Sequence, residues 1–181
     1  MSAKKETVTV PTPHGSAGTK RQNAESGFKA PARLRKSMQL VLVDMINLNL
    51  VGKQAHWNIV GPNFRDLHLN LDEVVDIARD ATDVIAERMR AMHAVPDGRA
   101  AVVASQSAID EFPEGEILTH DAIELVVKAI DTTVATIRDV HDAVDEDDPT
   151  SADILHEYID KLEQQSWFIG AELRTPTESK N

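Results

Sequence analysis

Two pieces of sequence decide how the chain reads: Gln54-Ala55-His56-Trp57-Asn58 before the turn Gly61-Pro62, and the segment Asn63 to Glu87, which carries His68, Asp72, Asp83 and Glu87. The apolar residues on either side of that turn recur with the period of a helix. Upstream, Leu34, Met38, Val41, Leu42, Met45 and Leu48 share one helical face. Pro31 suits a first helical turn, and Gly61-Pro62 stops the helix after Asn58. Downstream, Asn63 is placed to cap a second helix with the apolar face Leu67, Leu71, Val74, Ala78, Ile85 and Met89, which Pro96-Asp97-Gly98 ends. So short a turn between two long helices requires an antiparallel hairpin.

The polar residues of this hairpin are spaced for metal ligation. Residues four apart on a helix stand one above the other, so His68 and Asp72 can share an ion, and so can Asp83 and Glu87. His56, just before the bend, can face His68, just after it. Imidazole and carboxylate donors without thiolate suit iron, manganese or zinc, and open coordination positions would favour iron redox chemistry. The eleven residues from Asp72 to Asp83 correspond to about 16 Å of helix, too far for one ion to touch both. Either the pairs are unrelated, or a second subunit supplies the missing half. Antiparallel packing of two such helices about a twofold axis would bring His68 and Asp72 of one chain to Asp83 and Glu87 of the other, twice per dimer. Taken singly, each of these residues reads as a surface or capping group; five on one hairpin point to a metal centre. Trp57 is either a packed interface aromatic or an electron donor that intercepts oxidising equivalents beside the metal.

Outward from the hairpin, Arg99 to Thr119 is a long link, with a short helix expected around Ser107 to Glu111 and closed by Pro113 and Gly115. A third helix is predicted from about His120 to Val144, broken by Asp145-Glu146-Asp147-Asp148-Pro149. A fourth follows from about Ser151 to Leu173, capped by Ser151 or Asp153. Four amphipathic helices with one long central link describe an all-α four-helix bundle with a crossover between helices two and three. No strand signal competes. The predicted organisation is a flexible basic arm over 1–30, the bundle over 31–174 and a short tail over 175–181.

Composition sets the bounds. At 181 residues the chain is long enough for one domain with its own core. The absence of cysteine excludes disulfides, thiolate metal sites and cysteine nucleophiles. No apolar run has membrane-spanning length and no secretory leader is visible, so a cytoplasmic protein without membrane contact is expected. The net charge of −11 is divided unevenly: Met1 to Lys36 carries +6 and the remainder −17. An acidic body suits cations, and a basic arm suits a polyanion. Aromatics at 4% argue against a stacking platform for bases. No Glu-x-x-His occurs, the nearest string being Asp153-Ile154-Leu155-His156, which disfavours a di-iron site inside a single bundle. No organic cofactor is indicated.

The motif formed by Gln54 to Asn58, His68, Asp72, Asp83 and Glu87 within Ala86-Glu87-Arg88 resembles that of the Dps family, the DNA-protecting mini-ferritins of bacteria, in its actinobacterial form. The resemblance covers the bundle and leaves the first thirty residues uncovered. It implies a ferritin-like hollow dodecamer with intersubunit ferroxidase sites. His56, His68 and Asp72 would come from one subunit, and Asp83 and Glu87 from its twofold mate, with Trp57 near the iron. It implies Fe(II) oxidation, preferably by hydrogen peroxide, and storage of ferric iron. Asp145, Asp148 and Asp153 would then surround a threefold pore that attracts Fe(II). His141 and His156, across the same loop, read as exposed surface histidines, with a secondary cation site as the alternative. Lys4, Lys5, Lys20, Arg21 and Lys29 would bind DNA phosphates without sequence preference, with nucleoid association. Two rival readings stand beside this one: a protein that mainly shields nucleoid DNA through the arm, and a hydrolytic enzyme using another divalent metal at the hairpin.

Overall fold

The computed structural model describes residues 27–176; Lys4, Lys5, Lys20 and Arg21 lie outside the described residues. The helices are α1 (Ala32–Asn58), α2 (Phe64–Ala91), α3 (Ala100–Gln106), α4 (Thr119–Asp147) and α5 (Pro149–Gly170), with a closing 3-10 turn, Ala171–Leu173. Helices α1 and α2 form one hairpin and α4 and α5 the other. The hairpins pack through α1 against α4 and α2 against α5, while α3 rests on α1. This is the expected ferritin-like arrangement: a four-helix bundle with a short extra helix in the crossover.

The core is aliphatic because each helix turns one face inward: Leu34, Met38, Leu42 and Met45 of α1 are buried with Leu71 and Ile85 of α2, Ile130 and Ile137 of α4, and Leu155 and Leu162 of α5. Two glycines set the geometry of the first hairpin. A Cβ at Gly52 would lie 2.8 Å from Val75 Cγ2, so α1 and α2 approach more closely there than any side chain allows. Gly61 turns the chain with φ +114°, which residues with a Cβ rarely adopt.

Several local expectations are corrected. The short helix of the link spans Ala100–Gln106 and not Ser107 to Glu111. The alanines of the Ala100-Ala101-Val102-Val103-Ala104 run favour a helix, which buries Val103, whereas Ser107 and Ala108 are drawn to a buried carboxylate. Asp44 Oδ1 accepts from Ser107 Oγ and the Ala108 backbone N–H, both at 2.8 Å, and Asp44 Oδ2 accepts from Thr136 Oγ1 at 2.7 Å. That one side chain ties α1, the link and α4 together. A two-residue parallel pair, β1 (Ile59–Val60) with β2 (Ile117–Leu118), also appears where no strand was expected. It satisfies backbone groups where the chain leaves α1 and enters α4.

Asn63 does precede α2, but in the left-handed conformation (φ 57°) and without a side-chain capping bond. The acidic run does not break α4, which continues through Asp147. Arg33 holds its C-terminal end by pairing with Asp147 at 2.7 Å and Glu146 at 3.0 Å, and these contacts offset charge that would otherwise oppose the helix dipole. The connection to α5 is therefore Asp148 alone. Its side chain caps α5 by accepting from the Ser151 N–H, displacing Ser151 and Asp153 from that expected role, and Pro149 takes the first helical position.

Replacing Asp44 by Ala would leave two hydroxyls and a backbone N–H without their acceptor. We expect a loss of about 3 kcal/mol in unfolding free energy, by the usual cost of deleting a charged hydrogen-bonding partner, measured by urea denaturation. A loss below about 0.5 kcal/mol would show that the link is not held by this carboxylate.

Candidate metal centre

His56 lies in the last turn of α1 and is buried; His68 is in the second turn of α2, and Asp72 stands one turn further on. The hairpin brings the imidazoles face to face, with Nε2 to Nε2 at 3.1 Å and ring centroids 3.6 Å apart. Asp72 Oδ1 is 3.4 Å from His56 Nε2. One donor atom from each of the three residues lies within 4.8 Å of the others, the only such group of three or more potential metal ligands among the described residues.

The hydrogen bonding turns one lone pair into the cluster, that of His68, to which His56 Nε2 donates in the single chain. His68 Nδ1 is 3.1 Å from the His56 carbonyl oxygen, an acceptor, so His68 carries its proton on Nδ1 and turns an Nε2 lone pair inward. His56 Nδ1 is shielded from solvent without a partner. Burial, followed by the neighbouring His68, holds the His56 pKa below the ordinary histidine value, despite an opposing pull from Asp72. His56 is thus a neutral imidazole, the form that binds a metal. Two nitrogens each about 2.1 Å from one ion would stand roughly 3 Å apart, which matches the observed spacing. The donor set fits a divalent transition ion.

One participant was not anticipated. Lys53 Nζ donates to Asp72 Oδ1 at 2.6 Å, and this hydrogen bond is the main reason the Asp72 carboxyl titrates below its usual range. Lys53 precedes His56 by three residues on α1, so its place on the same helical face was legible from spacing. The ammonium occupies the position of a cation at the carboxylate.

The remaining candidates are placed apart from this cluster. Asp83 and Glu87 are exposed on α2, facing solvent in the single chain. Trp57 is 72% exposed and borders a shallow cavity of about 300 Å³ with Asn47, Gln54 and Phe112. Asp145 and Asp153 are exposed, but Asp148 is buried and committed: beyond its capping bond, its carboxylate accepts from Arg88 Nη2 at 2.6 Å. Lys29, also exposed, is the one expected DNA-contacting residue within the described part.

Comparison with known proteins agrees with this architecture. Residues 37–177 match the ferritin-like domain family. The chain is 34% identical over 140 residues to the fine tangled pili major subunit of Haemophilus ducreyi, covering 77% of this chain and 74% of that one. It is 32% identical to the DNA protection during starvation protein of Agrobacterium fabrum, covering 74% and 83%. Among solved structures, it resembles Dps92 of Deinococcus radiodurans with a TM-score of 0.76 at 30% identity, covering 80% and 88% of the two chains. The Dps of Microbacterium arborescens in its high iron form gives 0.75 at 32% identity, covering 81% and 99%. The fold and the hairpin motif define a ferritin-like protein, and within that family the chain belongs to the Dps group. No helix among the described residues is long and apolar enough to cross a membrane.

Two outcomes follow from the geometry. Lys53→Met removes a competitor at Asp72; a partly exposed ion pair is worth about 0.5–1 kcal/mol, so Co(II) should bind about two- to fivefold tighter in calorimetric titration. Unchanged affinity would mean that Lys53 does not compete. Because burial holds the His56 pKa below the ordinary histidine value, protons should begin to displace Co(II) at a lower pH than for an unperturbed histidine site, as calorimetric titration at a series of pH values would show. Affinity should fall on further acidification, as protons displace the metal.

Proposed function

We propose that the protein is a Dps-type ferroxidase and iron store, in which the His56, His68 and Asp72 half-site is completed by Asp83 and Glu87 of a twofold-related subunit. The observation that carries this reading is the His56–His68–Asp72 cluster itself: three converging donors that leave open coordination positions. The separation of Asp83 and Glu87 from it along α2 is what an intersubunit centre requires. Leu50, Trp57, Phe64 and Leu69 are exposed on the same hairpin, with Phe64 packed beside His68, and supply apolar surface for a second copy. The assembly is a dodecameric cage in the cytoplasm.

Iron is the substrate. One peroxide takes one electron from each of two Fe(II), its O–O bond breaks, and its oxygens leave as water or oxide held by Fe(III). Pairing the two oxidations at one protein site consumes peroxide and Fe(II) without releasing hydroxyl radical. Carboxylates stabilise the Fe(III) that forms, and Trp57, next in sequence to His56, is the donor for stray oxidising equivalents. Asp145 and Asp153 draw Fe(II) toward the threefold pore by their field, while Asp148 contributes through the corner it caps.

A second role is carried by a separate observation, the charge division of the chain. The arm, with Lys4, Lys5, Lys20, Arg21 and Lys29, joins the bundle where the Ala30 N–H donates to the Met92 carbonyl. Beside that junction Arg35, Lys36 and His93 line an open cavity of about 440 Å³. Twelve arms on one cage would act together on DNA phosphates, with the protein nucleoid-associated.

Mixing subunits tests the shared site. The variant His56→Ala/His68→Ala/Asp72→Ala and the variant Asp83→Ala/Glu87→Ala should each lose at least about 100-fold in peroxide-dependent Fe(II) oxidation, in the range for losing essential metal ligands. Reassembling the two together should restore part of the activity, because some mixed dimers carry one intact centre. No recovery in mixed cages, or full activity in either variant, would overturn the intersubunit reading. Deleting 1–30 should abolish a low-salt gel shift with DNA while Fe(II) oxidation survives.

A further inference from the structure

The second hairpin also carries a pair of histidines with stacked rings. His141 on α4 and His156 on α5 face one another with ring centroids 4.1 Å apart and planes inclined by 31°; for His56 and His68 the values are 3.6 Å and 38°. Each pair bridges two antiparallel helices near their connection. His141 lies seven residues before Asp148 and His156 eight after it, which puts them at the same level of the α4–α5 hairpin.

Two further parallels exist. One nitrogen in each pair is shielded from solvent and has no hydrogen-bond partner, His56 Nδ1 in the first and His141 Nε2 in the second. The only polar contact of the His141 ring at its other nitrogen is Asp142 Oδ1 at 3.5 Å, too long for a hydrogen bond but placed to favour the proton on Nδ1. That tautomer gives Nε2 a lone pair without a donor. Packing of two rings does not explain it, because a buried polar atom without a partner costs free energy that stacking does not return.

An aspartate stands one turn beyond a histidine in both hairpins: Asp72 after His68, Asp145 after His141 and Asp160 after His156. Asp145 and Asp160 are exposed and have no ion pair among the described residues. Two imidazoles with carboxylates within a helical turn, and no thiolate, form a donor set for a borderline divalent transition ion; calcium and magnesium prefer all-oxygen sites.

We propose that His141 and His156, a two-imidazole pair with Asp145 one helical turn beyond His141, form a second divalent metal site, separate from the His56–His68–Asp72 centre. It takes ions of the Zn(II), Co(II) and Fe(II) class. The site rests on this hairpin's own residues and stands whether or not the first one oxidises iron.

Co(II) is the probe. Equilibrium dialysis of the full-length protein at pH 7.5 should count one more Co(II) per chain in the native protein than in His141→Gln/His156→Gln. His56→Ala/His68→Ala should lose the other class of site and retain this one. His156→Gln alone, at an exposed position that leaves the core untouched, should weaken the second class by at least about tenfold, the order expected when a metal site loses one of its supporting groups. Equal stoichiometry and affinity in the native protein and the double variant would overturn the proposal. So would unchanged binding in His156→Gln, which decides the matter if the double variant does not assemble.

Discussion

The contact on which the rest depends is the close approach of α1 and α2. Gly52 lets the helices meet against Val75 at a distance no Cβ could occupy, and Gly61 reverses the chain in a conformation suited to glycine. With the bend end of the hairpin so constrained on both sides of His56, the two imidazoles have little freedom to separate. Their Nε2 atoms stand at a metal-ligand spacing because the backbone puts them there, and the His56 carbonyl then selects the tautomer of His68. The imidazole pair is preorganised by packing, so on the proposed reading an arriving ion would have mainly to displace Lys53 from Asp72.

The second constraint is electrostatic. An acidic chain must keep its carboxylates apart or pair them, and the fold uses both methods. Asp44 is buried only because three donors from two other segments converge on it. Asp148 is buried because Arg88 and the first turn of α5 share its charge. Arg88 follows Glu87 directly on α2, so the same turn that presents a carboxylate outward also secures the α4–α5 corner. Carboxylates without such partners, Asp83, Glu87, Asp145 and Asp153, are left on the surface, where cations can reach them.

Much of this was legible in the chain. The helical period of the apolar residues, the Gly-Pro turn and the long link predict the bundle and its crossover, because amphipathic helices of this length have few other ways to bury one face. The i,i+4 spacing placed Asp72 above His68, and helical rise separated Asp83 from Asp72. Local ends were read less well. The residues near Ser107 resemble a helix start, but a distant carboxylate claims their donors; the acidic run resembles a loop, but Arg33, over a hundred positions away, pairs with its end. Neither partner is visible from neighbouring sequence.

What the sequence determined by itself is the hairpin, its ligand types and their spacing along each helix, since these follow from helical geometry and the chemistry of single residues. Tertiary structure alone decided which of those groups meet. It set the 3.1 Å between two imidazoles, the lysine lying on Asp72, and the stacked pair His141 and His156 on the opposite hairpin. Those distances come from the packing of one helix on another, and a residue's contacts across a helix interface depend on every side chain between them.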